Sequence, residues 1–555
     1  MDIKKLTPQL SVTNQVQLAD LAGLQAAGFR SVVCNRPDGE GADQPTFAEI
    51  QAASHALGMV AYYLPVESGK VTDAEGEQFG AVVPTLPQPV LAYCRTGMRS
   101  TTLWALSQAA TLPTAQILGA AAAAGYDMKA LVRRIVNGGK TPVEVAAAAH
   151  DIVIIGAGAA GIATAASLLA RDSSLDIAII DPATVHYYQP GWTFVGAGVF
   201  SAESTARQIA SLLPRGVHWI KAGVAAFEPE RNAVVLEGCR VVTYKQLVVC
   251  PGLKLDWNGI EGLPETLGHN GVTSNYRYDL APYTWQLVQQ LRGGKALFTQ
   301  PPMPIKCAGA PQKAMYLSSD EWLRGGVLKD IDVQFYNSGA VLFGVADYVP
   351  ALMEYVKRYN IGLNFGHTLT AVDGPAKKAT FTRALADGSK ESLTVDFDML
   401  HVVPPQKAPD FIRVSPLADA AGWVDVDPGT MRHKTFANIF ALGDVGSTPN
   451  AKTAAAARKQ APVVAHNVLV GMGKRKGDAK YDGYGSCPLT VERGKIVLAE
   501  FLYGGKLAPS FPAWLIDGTQ PSRAAWQLKA RVLPPLYWQG MLKGHEWMAK
   551  PEMVG

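Results

Sequence analysis

Asp151-Ile152-Val153-Ile154-Ile155 runs directly into Gly156-Ala157-Gly158-Ala159-Ala160-Gly161, and this stretch decides the fold. The branched apolar residues favour a buried strand, and the glycines mark a tight turn into a helix. Gly156 makes the turn, Gly158 leaves room for a pyrophosphate against the backbone, and Gly161 lets helix and strand pack closely. A helix opening with Ala159 and Ala160 aims free N–H groups at those phosphates. A second apolar strand, Ile177-Ala178-Ile179-Ile180, ends in Asp181 about twenty residues further on, where a carboxylate grips a ribose. The stretch predicts an α/β, Rossmann-like domain built around a dinucleotide.

The chain has 555 residues, 48% of them hydrophobic and 18% charged. At about 150 residues per domain this predicts three or four units with sizeable cores. Fifty-one Lys and Arg against forty-seven Asp and Glu leave a net charge of +4, too little over this length for a nucleic-acid binder. No apolar run reaches about 18 residues, so no transmembrane helix is expected. The start, MDIKKLTPQL, lacks the apolar stretch of a secretory signal. Six scattered cysteines supply neither a disulfide scaffold nor a metal set.

Upstream of the decisive stretch, Ser31–Cys34, Val60–Leu64 and Pro89–Tyr93 read as buried strands alternating with helices. That pattern predicts a small parallel sheet covered on both faces over 1–135. Asn137-Gly138-Gly139-Lys140-Thr141-Pro142 breaks the helical pattern and places a linker over 136–149. Downstream, the first dinucleotide domain is expected over 150–290 and 396–480. A second Rossmann-like domain is expected over 291–395, and a distinct region, rich in Trp, Pro and Lys, over 481–555.

Two further motifs identify the dinucleotide. Thr435-Phe436-Ala437-Asn438-Ile439-Phe440-Ala441-Leu442-Gly443-Asp444 resembles the second flavin motif of two-dinucleotide flavoproteins, which implies that Asp444 meets the ribityl chain of FAD. Tyr244 to Gly252 (YKQLVVCPG) resembles the strand closing the flavin domain. Flavoproteins of this kind carry a second Gly-rich turn for a nicotinamide, here expected after Lys295-Ala296-Leu297-Phe298. What stands there is Pro301-Pro302-Met303-Pro304-Ile305-Lys306-Cys307-Ala308-Gly309-Ala310-Pro311, with one glycine where three are needed. The nicotinamide site is therefore expected to be degenerate.

The run Cys307-Ala308-Gly309-Ala310-Pro311-Gln312-Lys313 resembles the mitochondrial-type (type II) sulfide:quinone oxidoreductases. So do Tyr187-Tyr188-Gln189-Pro190-Gly191-Trp192-Thr193, Lys452-Thr453-Ala454-Ala455-Ala456 and Ser486-Cys487-Pro488-Leu489. The resemblance spans about 150–555. It implies a redox-active pair, Cys307 and Cys487, beside FAD. Sulfide attacks the bridged pair and leaves a persulfide on Cys487. Cys307 departs as the thiolate that engages the flavin, and two electrons pass to a ubiquinone-type quinone. The sulfane sulfur leaves on a small thiol, sulfite or a second sulfide. Lys313 and Lys452 fit a role in lowering a thiol pKa or stabilising reduced flavin equally as well as a solvated surface; Lys452 is carried forward. Cys34, Cys239 and Cys250 read as small buried hydrophobes.

Four of the eleven tryptophans, Trp514, Trp526, Trp538 and Trp547, lie near the end of the chain. Trp526, Lys529, Leu533, Leu536 and Tyr537 recur at helical spacing, with Pro534-Pro535 expected to break the helix. The pattern suits an interfacial helix and, equally, one packed on the core. The tail's LPPLYWQGMLKG resembles the membrane-binding end of the same oxidoreductases, implying a monotopic protein on the cytoplasmic face of a bacterial inner membrane. A homo-oligomer is compatible with the sequence.

Near the other end, Cys94-Arg95-Thr96-Gly97-Met98-Arg99-Ser100 places a thiol on a loop of N–H groups before a helix, where a thiolate is favoured. Arg99 reinforces the anion site. The layout is shared by tyrosine phosphatases and rhodaneses, and four residues between Cys and Arg match the shorter rhodanese loop. The 1–130 pattern, with Asn35-Arg36-Pro37-Asp38-Gly39-Glu40, more closely resembles the phosphatase-like domain of beta-lactamase hydrolase-like proteins. Asp38 reads as a general acid or, on its Pro-Asp-Gly context, a turn residue. Sulfur transfer at Cys94 is the reading taken, with phosphatase chemistry as its rival. For the whole chain the rivals are an NADH-fed quinone reductase and a non-catalytic FAD-containing persulfide sensor.

Overall fold

The computed structural model describes every residue except 43, 144, 145, 386 and 555. Two positions of the expected linker, 144 and 145, thus lie outside the described residues. The chain divides into two units: one comprises Met1–Ala149, Ala222–Thr243 and Asp410–Pro416, the other the remainder.

In the first unit a five-stranded sheet has the order Lys4–Lys5, Leu10–Thr13, Val90–Tyr93, Ser31–Cys34, Val60–Tyr63. Four strands run parallel, and only the Lys4–Lys5 edge is antiparallel. The outer pair escaped the sequence reading because each strand is short and KK carries no apolar signal. Leu10, Val12, Val33, Val90 and Ala92 meet Leu103, Trp104 and Ile117 of the covering helices in one core. The helix after Cys94 spans Met98–Gln108, two residues earlier than its Ala/Leu-rich part, because Gly97 adopts φ +88° and turns the chain directly into it. The same unit contains the hairpin Val224–Glu228 and Ala233–Leu236.

The second unit has two parallel sheets. In one, Val217–Ile220, Ile177–Ile180, Ala148–Ile155 and Val241–Val249 follow in order, with Ile439–Ala441 pairing parallel to the last. Their Ile and Val residues are buried on both faces, which is why these strands read as unbroken apolar runs. The helix Ala159–Arg171 presents alanines that let it lie close to the sheet. The other sheet is ordered Val272–Thr273, Met399–His401, Gly294–Gln300, Ile331–Asn337, Gly362–Phe365. The helix Ala310–Arg324 follows Gly294–Gln300 in the chain and packs beside it. An antiparallel hairpin, Gly485–Glu492 with Lys495–Phe501, completes the unit's second core.

Pro534-Pro535 does not break the terminal helix. Helical backbone continues from Arg523 to Lys543, with Pro535 at φ −59° and ψ −42°. Proline removes one N–H from the ladder. The flanking segments Leu528–Val532 and Leu536–Gly540 adjust by taking wider, π-helical turns.

Candidate active site

Three sequence motifs converge on one cradle. Gly156 sits at φ +103°, and a Cβ there would lie 2.6 Å from the carbonyl oxygen of Cys250. A Cβ on Gly161 would lie 1.9 Å from the Gly156 oxygen and 3.2 Å from Cys250 Sγ. Cys250 is thus packing beneath the loop, its thiol pushed up by burial. Gly443, at φ +72°, faces Ala160, so the Gly443–Asp444 turn closes over the helix start. Asp181 reaches back: its Oδ2 accepts from the Ala157 amide at 2.7 Å and its Oδ1 from Ala183 at 2.8 Å. Gly158 and Gly252, by contrast, have nothing within 4 Å of an added Cβ. Open backbone at Gly252 and at Gly158, the N-cap of Ala159–Arg171, is what a bound pyrophosphate needs, so the residues present fit a dinucleotide.

Lys452 holds the Asp444 loop from behind. Its Nζ donates to the carbonyls of Asp444 at 2.7 Å and Gly446 at 2.9 Å and lies 4.2 Å from the centre of the Trp423 ring. Burial lowers its pKa to about 8 even though Asp444 opposes the shift. Asp444 itself is raised by burial against the pull of Lys452 and Lys306.

Cys307 Sγ lies 3.5 Å from Cys487 Sγ. That is a non-bonded contact, since a disulfide bond is about 2.05 Å. Two elements bring the sulfurs together. The Cys307 amide donates to the Lys452 carbonyl at 2.8 Å, tying its turn to the segment behind the cradle, and Cys307 adopts φ +49°. Cys487 lies within the strand Gly485–Glu492, opposite Ala499. The lone glycine of the degenerate turn explains the approach: a Cβ on Gly309 would fall 2.5 Å from Cys487 Sγ. Here the glycine admits a sulfur. Pro311 stands in the first turn of the helix, where proline costs no hydrogen bond.

Lys313 Nζ donates to Cys307 Sγ at 3.1 Å. The hydrogen bond from Cys487, opposed by burial and reinforced by the Lys313 charge, holds the Cys307 thiol well below its ordinary value. Cys487 is driven the other way by the same hydrogen bond and by burial, so Cys307 is the more acidic of the two. Lys313, despite its burial, is kept charged by the Cys307 sulfur. Of the two lysines weighed from sequence, Lys313 is the thiol's partner and Lys452 serves the Asp444 loop.

In the first unit Cys94 is 1% exposed, and its sulfur accepts the Gly97 N–H at 3.1 Å. Arg99 is gripped by Glu40 through Nη1 at 2.9 Å and Nη2 at 2.8 Å, and Arg36 Nε reaches the same carboxylate at 2.7 Å. Burial opposes the Arg99 charge, yet Glu40 and the Cys94 thiol hold it above its ordinary value. The Arg99 hydrogen bonds, against burial, draw Glu40 below the usual carboxylate range. Asp38 Oδ1 accepts from the Phe47 amide at 2.8 Å, at the start of the helix Phe47–Ala56. Tyr126 closes the loop from outside: its hydroxyl donates to the Thr96 carbonyl at 3.1 Å and would clash with any side chain at Gly97.

The family described as beta-lactamase hydrolase-like protein, phosphatase-like domain, matches residues 2–111. The pyridine nucleotide-disulphide oxidoreductase family matches 150–285. The mitochondrial sulfide:quinone oxidoreductase of Dictyostelium discoideum is 41% identical over 402 residues, 72% of this chain and 87% of that protein. The chain belongs to the sulfide:quinone oxidoreductase family. Its first domain is similar to part of the beta-lactamase hydrolase-like protein of Agrobacterium fabrum, 33% identical over 109 residues, 20% of this chain and 25% of that one. The sulfide:quinone oxidoreductase structure from Aquifex aeolicus shares the fold, with TM-score 0.60 and 20% identity over 74% of this chain and 97% of that one. Membership of this oxidoreductase family implies a flavin cofactor.

One residue of this oxidoreductase's site was not found from sequence as such. Lys529, counted there among an interfacial helix face, is buried and donates to Thr490 Oγ1 at 3.1 Å. Burial and the Lys313 charge push it well below its ordinary value, against the pull of the Cys307 and Cys487 sulfurs. Tyr537 and Trp538 also turn inward: Tyr537 Oη lies 2.6 Å from His186 Nε2, whose Nδ1 meets the Ala157 carbonyl of the glycine turn. Trp526 packs partly buried beside Phe194. Trp514 and Trp547 remain outside, 85% and 60% exposed. No helix among the described residues is long and apolar enough to cross a membrane.

Proposed function

We propose that the chain oxidises sulfide at Cys307 and Cys487 and passes the electrons through FAD to a ubiquinone-type quinone. The observation carrying this reading is the 3.5 Å sulfur pair with Lys313 on Cys307. When the pair is bridged, HS⁻ attacks Cys487 Sγ and the Cys307–Cys487 bond breaks. Cys487 is left as a persulfide, and Cys307 leaves as a thiolate stabilised by Lys313. A small thiol or sulfite then takes the terminal sulfur and returns Cys487 as a thiolate. The bound FAD supplies a two-electron acceptor that the quinone reoxidises. Gly156, Gly158, Ala159, Ala160 and Gly161 would hold its pyrophosphate, Asp181 its adenosine ribose, and Gly252, Gly443 and Asp444, braced by Lys452, its flavin half. The crowded, single-glycine turn at Gly309 favours sulfide over a nicotinamide as electron donor.

The Cys94 loop is read as a carrier of sulfane sulfur, favoured over phosphatase chemistry by its four-residue Cys–Arg spacing. The exposed Trp514 and Trp547 suit a monotopic position at a lipid surface, from which the quinone arrives. The test is sulfide-dependent reduction of a ubiquinone analogue by the purified flavoprotein. Turnover with sulfide and a persulfide product supports the reading; reduction only with NADH, or no turnover with quinone, overturns it.

A further inference from the structure

The first unit contains a cleft that no sequence motif marks. It measures about 710 Å³ and is formed by residues 118–133, the hairpin strand and turn at 225–231, and 411–416, all within that unit. Its floor is apolar, with Phe227 and Phe411 near-parallel at 6.1 Å. Its rim carries both signs of charge. Arg133 and Glu228 form a bidentate pair at 2.7 and 2.6 Å. Lys129 and Arg231 are each only loosely paired, 3.7 Å from Asp127 and Glu228, with about two-thirds of the side chain in solvent.

One wall of the cleft is Tyr126. This is the same tyrosine whose hydroxyl is bonded to Thr96 in the Cys94 loop. The cleft and the buried sulfur are therefore neighbours across a single ring. A sulfur that is 1% exposed is met by a thin, extended group and not by a bulky one. A thiol reaching it must be held elsewhere by its body. A volume of 710 Å³ far exceeds what sulfite or cyanide fills and falls in the range of about 300–1,000 Å³ typical of small-molecule sites.

We propose that this cleft binds the body of the thiol that accepts sulfur from Cys94, and that this acceptor is a small zwitterionic peptide thiol. The inference rests on Cys94 being a sulfur carrier. Lys129 and Arg231 meet the acceptor's carboxylates, Glu230 faces its ammonium, and the stem lies over Phe227 and Phe411. The acceptor thiolate attacks the outer sulfur of the Cys94 persulfide and the Cys94 S–S bond breaks. The acceptor departs as a persulfide carrying the proton of that sulfur, and Cys94 leaves as a thiolate facing the Gly97 N–H. No electrons are gained or lost overall. Tyr126 is a positioning residue at the boundary, closing the loop until the thiol enters.

Glutathione is the probe, in the full chain with Cys307→Ser and Cys487→Ser so that only Cys94 can transfer sulfur. With thiosulfate as donor, glutathione and cyanide are compared as acceptors. Lys129→Glu with Arg231→Glu is expected to lower the glutathione-to-cyanide ratio of kcat/KM at least tenfold. Calorimetry with S-methylglutathione, which cannot react, should show one site weakened at least tenfold by the same double change. An unchanged ratio together with unchanged S-methylglutathione affinity overturns the cleft assignment. Cys94→Ser transferring sulfur to both acceptors at full rate overturns the sulfur-carrier reading instead, and with it the acceptor role.

Discussion

The two sulfur sites of this chain solve different problems. At Cys307 the thiolate faces a second sulfur 3.5 Å away and a buried ammonium at 3.1 Å, so a bond between sulfurs can form and break and a pair of electrons can leave. At Cys94 the sulfur meets one backbone N–H at 3.1 Å and the guanidinium that Glu40 grips, while the neighbouring buried Cys34 thiol is pushed up by its burial. With no buried ammonium on the sulfur and with the Cys34 thiol pushed up by burial, that arrangement suits taking a group and giving it up. The contrast teaches that the thiolate's surroundings, more than the cysteine, set whether the chemistry is oxidation or transfer.

Exchanging the sulfurs one at a time should break the comparison most sharply. Cys307→Ser is expected to cut sulfide-dependent quinone reduction by about a thousandfold or more, as loss of a nucleophile does, while cyanide-dependent sulfur transfer at Cys94 persists. Cys94→Ser should do the reverse. A stopped-flow assay of quinone reduction beside a thiocyanate assay reads both, and a change that silences both activities would merge the two sites.

A smaller effect is expected from Lys313→Met. Cys307 is held low by Cys487 and, against burial, by Lys313, so its thiolate persists below the pH at which a free cysteine protonates. Without the ammonium the thiol rises, the acid limb of the pH–rate profile moves to higher pH, and the rate at neutral pH falls by roughly tenfold or more. Lys313→Arg should restore part of the limb; a profile indifferent to both changes removes the electrostatic role.

Gly309→Ala places a methyl 2.5 Å from Cys487 Sγ and 2.3 Å from Leu489 Cδ2. Overpacking of this kind costs about 1–3 kcal/mol and should separate the sulfurs, visible as lost disulfide formation in a thiol titration. Full stability with an intact pair would show that the glycine is not needed there.

The smallest change is expected at Glu40. Arg99 lowers its folded pKa, so its contribution is present above the unfolded carboxyl value, about 4.3, and fades as pH falls through the lower folded value. Glu40→Gln should cost on the order of 1 kcal/mol at pH 7 in denaturant melts and nothing in strong acid. A loss of equal size at both pH values would contradict that sign.

Much of the architecture was legible because it rests on local chemistry. Gly156, Gly158 and Gly161 each do a different backbone job, and unbroken Ile–Val runs announce strands buried on both faces. Cys307 and Cys487 were legible through resemblance; their meeting across 180 residues depends on the Lys452 carbonyl and on Gly309, which no spacing reveals. Lys529 stood open between lipid and core because its helical period shows a face but not which side is water. Pro534-Pro535 misled because a local rule for proline takes no account of π-helical turns on either side. The cleft under Tyr126 is built from three distant segments and leaves no sequence trace.

The account's central claim is that electrons enter from sulfide through Cys307 and Cys487. An anaerobic titration of the purified flavoprotein with sulfide, then with NADH, tests it most directly. Sulfide should bleach the flavin band or raise a long-wavelength charge-transfer band, a ubiquinone analogue should reverse the change, and NADH should do nothing. Bleaching by NADH alone would contradict the account and restore a nicotinamide site to the turn around Gly309.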